Sequence, residues 1–401
     1  LGSARELVGR GEERFSALAE DWRLLLSRAW VEAPEDAPPG AGPLLTGGFA
    51  FAPDGGGEPQ WSSLPPALMV LPELSLLRSG GRCWLSVNAV LDGDQESAAA
   101  ALGRVAARLE SLKAAPLEMA PADPHPSGEY RITAPHPPQR YERLVAEARA
   151  RIERGELEKV VLAREVRVEA PAAHDAAAVF AALRTVFPSC FCFCAGTPQA
   201  AFLGASPELL IRRSGAGAAT VALAGSTRRS ADPAVDDHLG ESLLHSAKDR
   251  REHEIVVRRI ERGLGRLAVW VEAAPEPGVI KVANIQHLAT PIRAQLADSR
   301  GAVELAGILH PTPAVGGEPK PEAVAAIAEL EQMDRGWYSG PVGWTDAAED
   351  GEFCVALRSA LLRDRTAHLY AGAGLVADSD PATELAETEI KLAAMLPLVS
   401  G

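Results

Sequence analysis

Apolar and polar positions follow two rhythms along this chain, one with the period of a helix and one with the period of a strand. Residues 5–30 carry the amphipathic spacing of a helix, and a Pro/Gly-rich connector follows from Ala33 to Gly48. Short apolar runs at Gly48–Phe51, Leu68–Leu71 and Cys83–Val87 predict strands. An Ala-, Leu- and Arg-rich stretch from Ser97 to Lys113 predicts a helix. Pro116, Pro121, Pro124, Pro126, Pro135, Pro137 and Pro138 then predict an extended connector, since proline lacks an amide donor and biases its predecessor away from helix.

The pattern tightens from Gln139 onward. Tyr141 to Leu157 reads as a charged amphipathic helix, and Lys159 to Val168 as an apolar strand entered by a lysine. Further strands are predicted at Ala201–Gly204, Glu208–Arg212, Thr220–Ala224, Phe353–Leu361 and His368–Ala371. One long helix is expected from Asp236 to Leu267, and a closing helix from Pro381 to Met395. Strands and helices come in runs rather than in strict alternation, which favours an α+β fold with antiparallel sheets.

Composition narrows the partners. The 401 residues are 47% hydrophobic and 23% charged, with 40 Lys plus Arg against 54 Asp plus Glu, a formal net charge of −14. Such a surface repels phosphate backbones and anionic headgroups, so no nucleic acid and no membrane is expected as a partner. An anionic substrate would need a local basic pocket or a metal ion. No apolar run reaches the ~18–20 residues that span a bilayer, and Leu1-Gly2-Ser3-Ala4-Arg5 shows neither the charged nor the apolar region of a secretory leader. Five cysteines, an odd number, form no disulfide framework, and a cytoplasmic location is expected. Cys190, Cys192 and Cys194 alternate with Phe191 and Phe193. In an extended strand Cys190 and Cys194 stand too far apart to share one tetrahedral ion, so they read as small apolar residues.

Three features carry candidate chemistry. Asp249 and Glu252 stand at i and i+3 on one helix, as do Glu384 and Glu387 on another, with Lys391 one turn further on. Two such faces converging would suit Mg²⁺, whereas two solvated faces would carry ordinary i,i+4 ion pairs. Glycine turns after apolar strands, at Ala224-Gly225-Ser226 and Ala371-Gly372-Ala373-Gly374, let backbone amides approach an anion, although neither is a nucleotide fingerprint. Lys159, Glu208 and Arg358 sit in or beside apolar strands, where a charge is expensive unless it is paired or functional.

Taken together, these segments resemble the chorismate-utilising enzymes, and within them the isochorismate synthases of menaquinone and siderophore biosynthesis. The matching runs are Lys159-Val-Val-Leu-Ala-Arg, Phe202-Leu-Gly-Ala-Ser-Pro-Glu208-Leu, Leu223-Ala-Gly-Ser-Thr-Arg228 and Lys248-Asp-Arg-Arg-Glu252-His253. Gln286-His287-Leu-Ala-Thr-Pro291, His310-Pro-Thr-Pro-Ala314-Val-Gly-Gly, Trp337-Tyr338-Ser-Gly-Pro-Val, Ala371-Gly-Ala-Gly374 and Glu384-x-x-Glu387-Thr-x-x-Lys391 complete the set. They fall within residues 139–401, the expected chorismate-binding catalytic region. Residues 1–130 match loosely, around Gly47-Gly48-Phe49, and are expected to complete the same structural domain.

The resemblance implies one large α+β domain, with antiparallel sheets packed face to face and helices outside. It implies that Lys159 is the base activating water for attack at C2 of chorismate, and that Glu208 is the acid protonating the departing C4 hydroxyl. Glu252 and Glu387 would ligate Mg²⁺, with Glu384 and Asp249 acting through water. Arg358 and Tyr338 would hold the enolpyruvyl carboxylate, helped by the backbone around Gly372, and Lys391 would assist at the metal-bound carboxylate. Gly225, Ser226 and His287 would line the ring pocket.

Among relatives, anthranilate synthases carry a glutamine-like residue where Lys159 stands. Salicylate synthases keep the lysine, but pyruvate-releasing members typically have Thr at the position of Ala314. The resemblance therefore implies an isomerase that stops at isochorismate and works as a monomer. The alternatives are a salicylate synthase and a non-catalytic homologue that binds an anion.

Overall fold

The computed structural model describes residues 2–91, 98–114 and 123–401. Ser97, at the head of one predicted helix, and Pro116 and Pro121 of the predicted connector lie outside the described residues. Two antiparallel sheets carry the architecture. The larger has ten strands, in the order Ser3–Gly9, Ala67–Pro72, Leu44–Phe49, Pro341–Asp346, Gly351–Val355, Leu209–Ser214, Gly217–Arg228, Ile285–Leu296 and Ala268–Ala273, with Gly278–Lys281 also paired to Ile285–Leu296. The smaller has seven, running Gly317–Glu318, Lys159–Glu169, Thr366–Leu375, Ser359–Arg363, Ala201–Ser206 and Phe191–Gly196, with Arg131–Thr133 also on Lys159–Glu169. A separate ribbon pairs Leu74–Ser79 with Arg82–Val87.

The sheets meet through an aromatic core. Phe202, Leu361, Tyr370 and Ala163 of the smaller sheet pack with Val342 and Cys354 of the larger, and Trp61 and Trp337 join the same cluster. Tyr370 stacks on both Trp61 and Tyr338, at ring separations of 5.8 and 5.3 Å. Each fully buried aromatic or aliphatic side chain contributes roughly 1.5–3 kcal/mol relative to leaving it in water. Helices cover the outer faces. Arg14–Leu26, Ala247–Gly265 and Ala302–Leu309 contribute to the core against the larger sheet. Ala176–Val186 and the C-terminal turn Leu396–Val399 pack on the smaller one. Pro138–Glu153 and Lys320–Glu331 share a fourth cluster with the Lys159–Glu169 strand.

The N-terminal third is built into this domain. Leu44–Phe49 pairs with Pro341–Asp346, and Ser3–Gly9 and Ala67–Pro72 extend the sheet outward from it. The helix predicted over residues 5–30 is therefore a strand, Ser3–Gly9, followed by a shorter helix, Arg14–Leu26. Gly11, at φ +72°, breaks the run, and pairing with Ala67–Pro72 decides the conformation of the first segment.

Two further departures shape the site. The helix predicted from Asp236 to Leu267 divides into Pro233–His245 and Ala247–Gly265. Ser246 stands between them at ψ 114°, its hydroxyl accepting from the Asp249 amide at 3.3 Å, so the second helix starts with its own N-cap and its own direction. The strand predicted from Phe353 to Leu361 is two strands belonging to different sheets. The chain passes between the sheets through Ala356–Arg358, where Arg358 takes φ +49°. A second passage runs the other way, from Ala201–Ser206 to Leu209–Ser214, through Pro207 and Glu208. The two corners are stitched together: the Ala205 amide donates to Arg358 O at 3.1 Å, and the Val355 amide donates to Glu208 O at 3.0 Å.

Candidate active site

Glu208 and Arg358 thus owe their neighbouring positions to the two sheet crossings. Glu208 is 4% exposed, and burial pushes its carboxyl up to about 7, outweighing the opposing pull of Lys159, Arg358 and Lys391. Those three cations are therefore its electrostatic neighbours. Arg358 is buried as well. Its Nη2 donates to His287 Nε2 at 3.0 Å, while its Nε is buried without a hydrogen-bond partner. A guanidinium can only donate, so Nε2 is the acceptor and the His287 proton sits on Nδ1, which donates to Gly225 O at 3.2 Å. Burial, then Arg358 and Lys391, hold the imidazole down to about 3, so it is neutral. An orphaned guanidinium N–H in a dry site is a receptor for an anion.

Lys159 opens its strand with no solvent exposure at all. Its ammonium stands 2.9 Å from Glu252 Oε1, a close ion pair without the geometry of a directed hydrogen bond. Glu252 comes from the Ala247–Gly265 helix, which His253 anchors: Nε2 meets Thr290 Oγ1 at 2.7 Å and Nδ1 meets Ala224 O at 3.3 Å. The other acidic helix, Pro381–Leu392, presents Glu384 and Glu387. Glu384 is fully buried and bonds Lys248 at 2.5 Å through Oε1. Glu387 bonds Lys391 at 2.6 Å, and Lys391 also donates to Gly372 O at 2.8 Å.

The two acidic faces converge. Burial, with Glu387 adding to it, raises the Glu384 carboxyl; burial, with Glu252 and Glu387 adding, raises that of Asp249. Burial also pushes Glu387 up, but Lys391 and the Ser226 hydroxyl bring it below its ordinary value. Among the described residues no three His, Cys, Asp or Glu side chains stand grouped as a finished metal site, and Glu252, Glu384 and Glu387 are each paired with a lysine. The donor set nevertheless fits a hard divalent cation: all oxygens, mutually repelling, with Glu384 Oε2 buried and without a hydrogen-bond partner.

The remaining predicted residues fall into place around this group. Gly225 forms the bulge at which the register between Gly217–Arg228 and Ile285–Leu296 shifts, and it takes φ +74° with Asp249 Cβ 3.1 Å from where its own Cβ would be. Gly225→Ala should therefore cost roughly 1–2 kcal/mol, read as a lower thermal midpoint. Ser226 Oγ is buried beside Glu387. Tyr338 is buried in the inter-sheet core, where burial raises its phenol while Arg335 and Lys391 pull the other way. Ala314 lies in the turn after Ala302–Leu309, packed on the core of the larger sheet. Arg335 braces that turn, donating to Val315 O at 2.8 Å and to Val161 O at 2.9 Å.

Sequence reasoning missed Lys248 and His253 as individual residues, although each stands inside a matching run; the glycine turn expected at Ala371–Gly374 is instead part of the Thr366–Leu375 strand. Lys248 reaches across to Glu384 on the other helix. A separate cavity of about 220 Å³, lined by Arg140, Tyr141, Leu144, Glu165 and Arg167 among others, opens elsewhere along the Lys159–Glu169 strand and includes neither Lys159 nor Glu208.

The fold and this set of residues define a chorismate-binding enzyme, and the chain belongs to that family: the family model, described as chorismate binding enzyme, matches residues 1–400. A salicylate biosynthesis isochorismate synthase of Pseudomonas aeruginosa is 40% identical over 400 residues, covering 100% of this chain and 82% of that protein. The isochorismate synthase MenF of Bacillus subtilis is 34% identical over 98% of this chain and 82% of its own length. Among solved structures, MenF of Escherichia coli, the menaquinone-specific isochorismate synthase, superposes with a TM-score of 0.79 at 29% identity, over 100% of this chain and 85% of that one. Anthranilate synthase component I of Streptococcus pneumoniae, at 22% identity and a TM-score of 0.78, shares the fold.

Proposed function

We propose that this protein is a magnesium-dependent isochorismate synthase, converting chorismate reversibly into isochorismate. The observation that carries the reading is the pairing of a wholly buried lysine, Lys159, with a buried carboxyl held near neutrality, Glu208, beside an arginine with an unpartnered N–H. For this step Lys159 must stand as the free amine, its proton having first passed to solvent; the amine then takes a proton from water as the oxygen bonds to C2. The ring double bonds shift, the C4–O bond breaks, and Glu208 gives its proton to the departing hydroxyl, which leaves as water. One water enters and one leaves, so product and substrate are isomers. A carboxyl near 7 is matched to that task, being protonated often enough to donate and acidic enough to do so.

Arg358 and Tyr338 hold the enolpyruvyl carboxylate, and His287, neutral and fixed in one tautomer, keeps Arg358 aimed. Glu252 and Glu387 would hold Mg²⁺, with Glu384 and Asp249 acting through water. The bound ion would take the ring carboxylate and favour movement of charge through the ring. Lys391 assists at that carboxylate. The site is completed within one chain, which supports a monomer, and five free thiols support a reducing cytoplasm.

Incubation with chorismate and Mg²⁺, followed by chromatography, tests the reading. Isochorismate without pyruvate is expected, abolished by EDTA and restored by added Mg²⁺. Salicylate with pyruvate would make it a salicylate synthase and remove the significance of Ala314; no conversion would leave a protein that binds without catalysing. Glu387→Gln should raise the Mg²⁺ concentration needed for half-maximal rate by about 10-fold or more, and an unmoved requirement would exclude Glu387 as a ligand.

A further inference from the structure

Among the glycines near the site, Gly374 has surroundings that no turn explains. It lies inside the Thr366–Leu375 strand, paired with Val161, and its backbone is in ordinary strand conformation. A Cβ built on it would stand 2.1 Å from Glu252 Oε1 and 3.0 Å from Lys159 Cε. Lys159 and Glu252 come from a strand and a helix far apart in sequence, and they meet over this one residue without a side chain. Two residues earlier, Gly372 O accepts from the Lys391 ammonium at 2.8 Å. A two-residue step along a strand is about 7 Å. One short stretch of one strand therefore touches two of the three lysines of the site, Lys391 through the Gly372 carbonyl and Lys159 through the space left by a missing methyl.

We infer that Gly374 is a positioning residue for the acid–base site: its bare backbone is the seat on which the Lys159–Glu252 pair rests, and it sets where the base stands relative to the metal-binding glutamate. This rests on the roles proposed for Lys159 and Glu252. The aliphatic stem of Lys159 and the carboxylate of Glu252 press on the same point, so a methyl there moves both. Lys159 has no solvent exposure, so its stem cannot swing out into water and must repack against its neighbours.

A double-mutant cycle tests it, using Gly374→Ala, Glu252→Ala and the two combined in the full chain. Thermal unfolding is followed without metal, and Mg²⁺ binding by calorimetry without substrate. Gly374→Ala alone should lower the unfolding midpoint by several degrees and weaken Mg²⁺ binding by about 10-fold, as loss of support around a ligand does. In the Glu252→Ala background the same methyl meets no carboxylate, and most of its cost in unfolding midpoint should vanish. Should the single variant fail to fold, the double variant must fold. An equal loss of midpoint in both backgrounds, or unchanged Mg²⁺ affinity in a folded Gly374→Ala protein, would overturn the assignment. The unfolding cycle needs no turnover, so failure of wild-type protein to convert chorismate would remove the catalytic reading while leaving the role of Gly374 to be decided by the cycle.

Discussion

Lys159→Ala should lower kcat for isochorismate formation by about 10²–10⁴-fold, the usual contribution of a positioned acid or base. The chorismate KM should move much less, because the proposed carboxylate contacts, Arg358, Tyr338 and Lys391, are untouched. The same substitution should also change metal-free stability. It removes the partner that stands 2.9 Å from Glu252 and leaves a nearly buried carboxylate unpaired, a loss of roughly 3 kcal/mol. Added Mg²⁺ should recover part of that loss by supplying the missing positive charge, so the thermal midpoint of Lys159→Ala should rise with Mg²⁺ more steeply than that of wild type. Unchanged turnover would exclude Lys159 as the base. A midpoint indifferent to Mg²⁺ would separate Glu252 from the metal.

Glu208→Gln should produce opposite changes in activity and stability. Turnover should again fall by about 10²–10⁴-fold, since glutamine cannot protonate the leaving hydroxyl. The wild-type rate should decline as pH rises through about 7, because the acid must carry its proton, and that limb of the profile should be absent from whatever residual rate the variant keeps. Stability follows the same proton. The folded carboxyl, at about 7, binds its proton more tightly than the ordinary carboxyl at 4.5. The stability this lends is fully present below the ordinary value and is lost as pH rises through the folded one. Glutamine carries no such loss. The stability of Glu208→Gln relative to wild type should therefore improve by about 3 kcal/mol on going from about pH 4 to about pH 8. Parallel pH–stability curves for the two proteins would show that Glu208 does not carry its proton in the folded state.

Much of this was legible in the sequence, and the parts that were not have physical reasons. The two i,i+3 acidic pairs were visible because helical spacing is local, and the helices do present them to one site. What each carboxylate touches was not visible, since the Lys159–Glu252 and Lys248–Glu384 pairs join elements far apart in the chain. The alternation at Cys190–Cys194 indicated a strand, and all five thiols are free. The segment Phe353–Leu361 read as one strand because only Arg358 and Ser359 interrupt its apolar run. A left-handed residue that is not glycine, Arg358, gives no composition signal for the change of sheet. Residues 5–9 read as helix because amphipathic spacing over a few residues fits either structure, and the partner strand that decides the matter begins at Ala67. The break at Ser246 was likewise hidden, although serine followed three residues later by Asp249 is a helix-start pattern.

The two crossings have a mechanical consequence. Glu208 and Arg358 occupy the corners where the chain leaves one sheet for the other, and those corners are hydrogen-bonded to each other. The residues proposed as proton donor and anion clamp thus sit on the same hydrogen-bonded joint. The gap between the sheets is filled by Trp61, Phe202, Trp337 and Tyr370, none of which is a titrating member of the site. Their bulk sets the spacing between this joint and Lys159, so a milder trim such as Phe202→Leu is expected to lower turnover as well as the unfolding midpoint. On the proposed mechanism, the aromatic layer between the sheets would then bear on the rate as well as on stability.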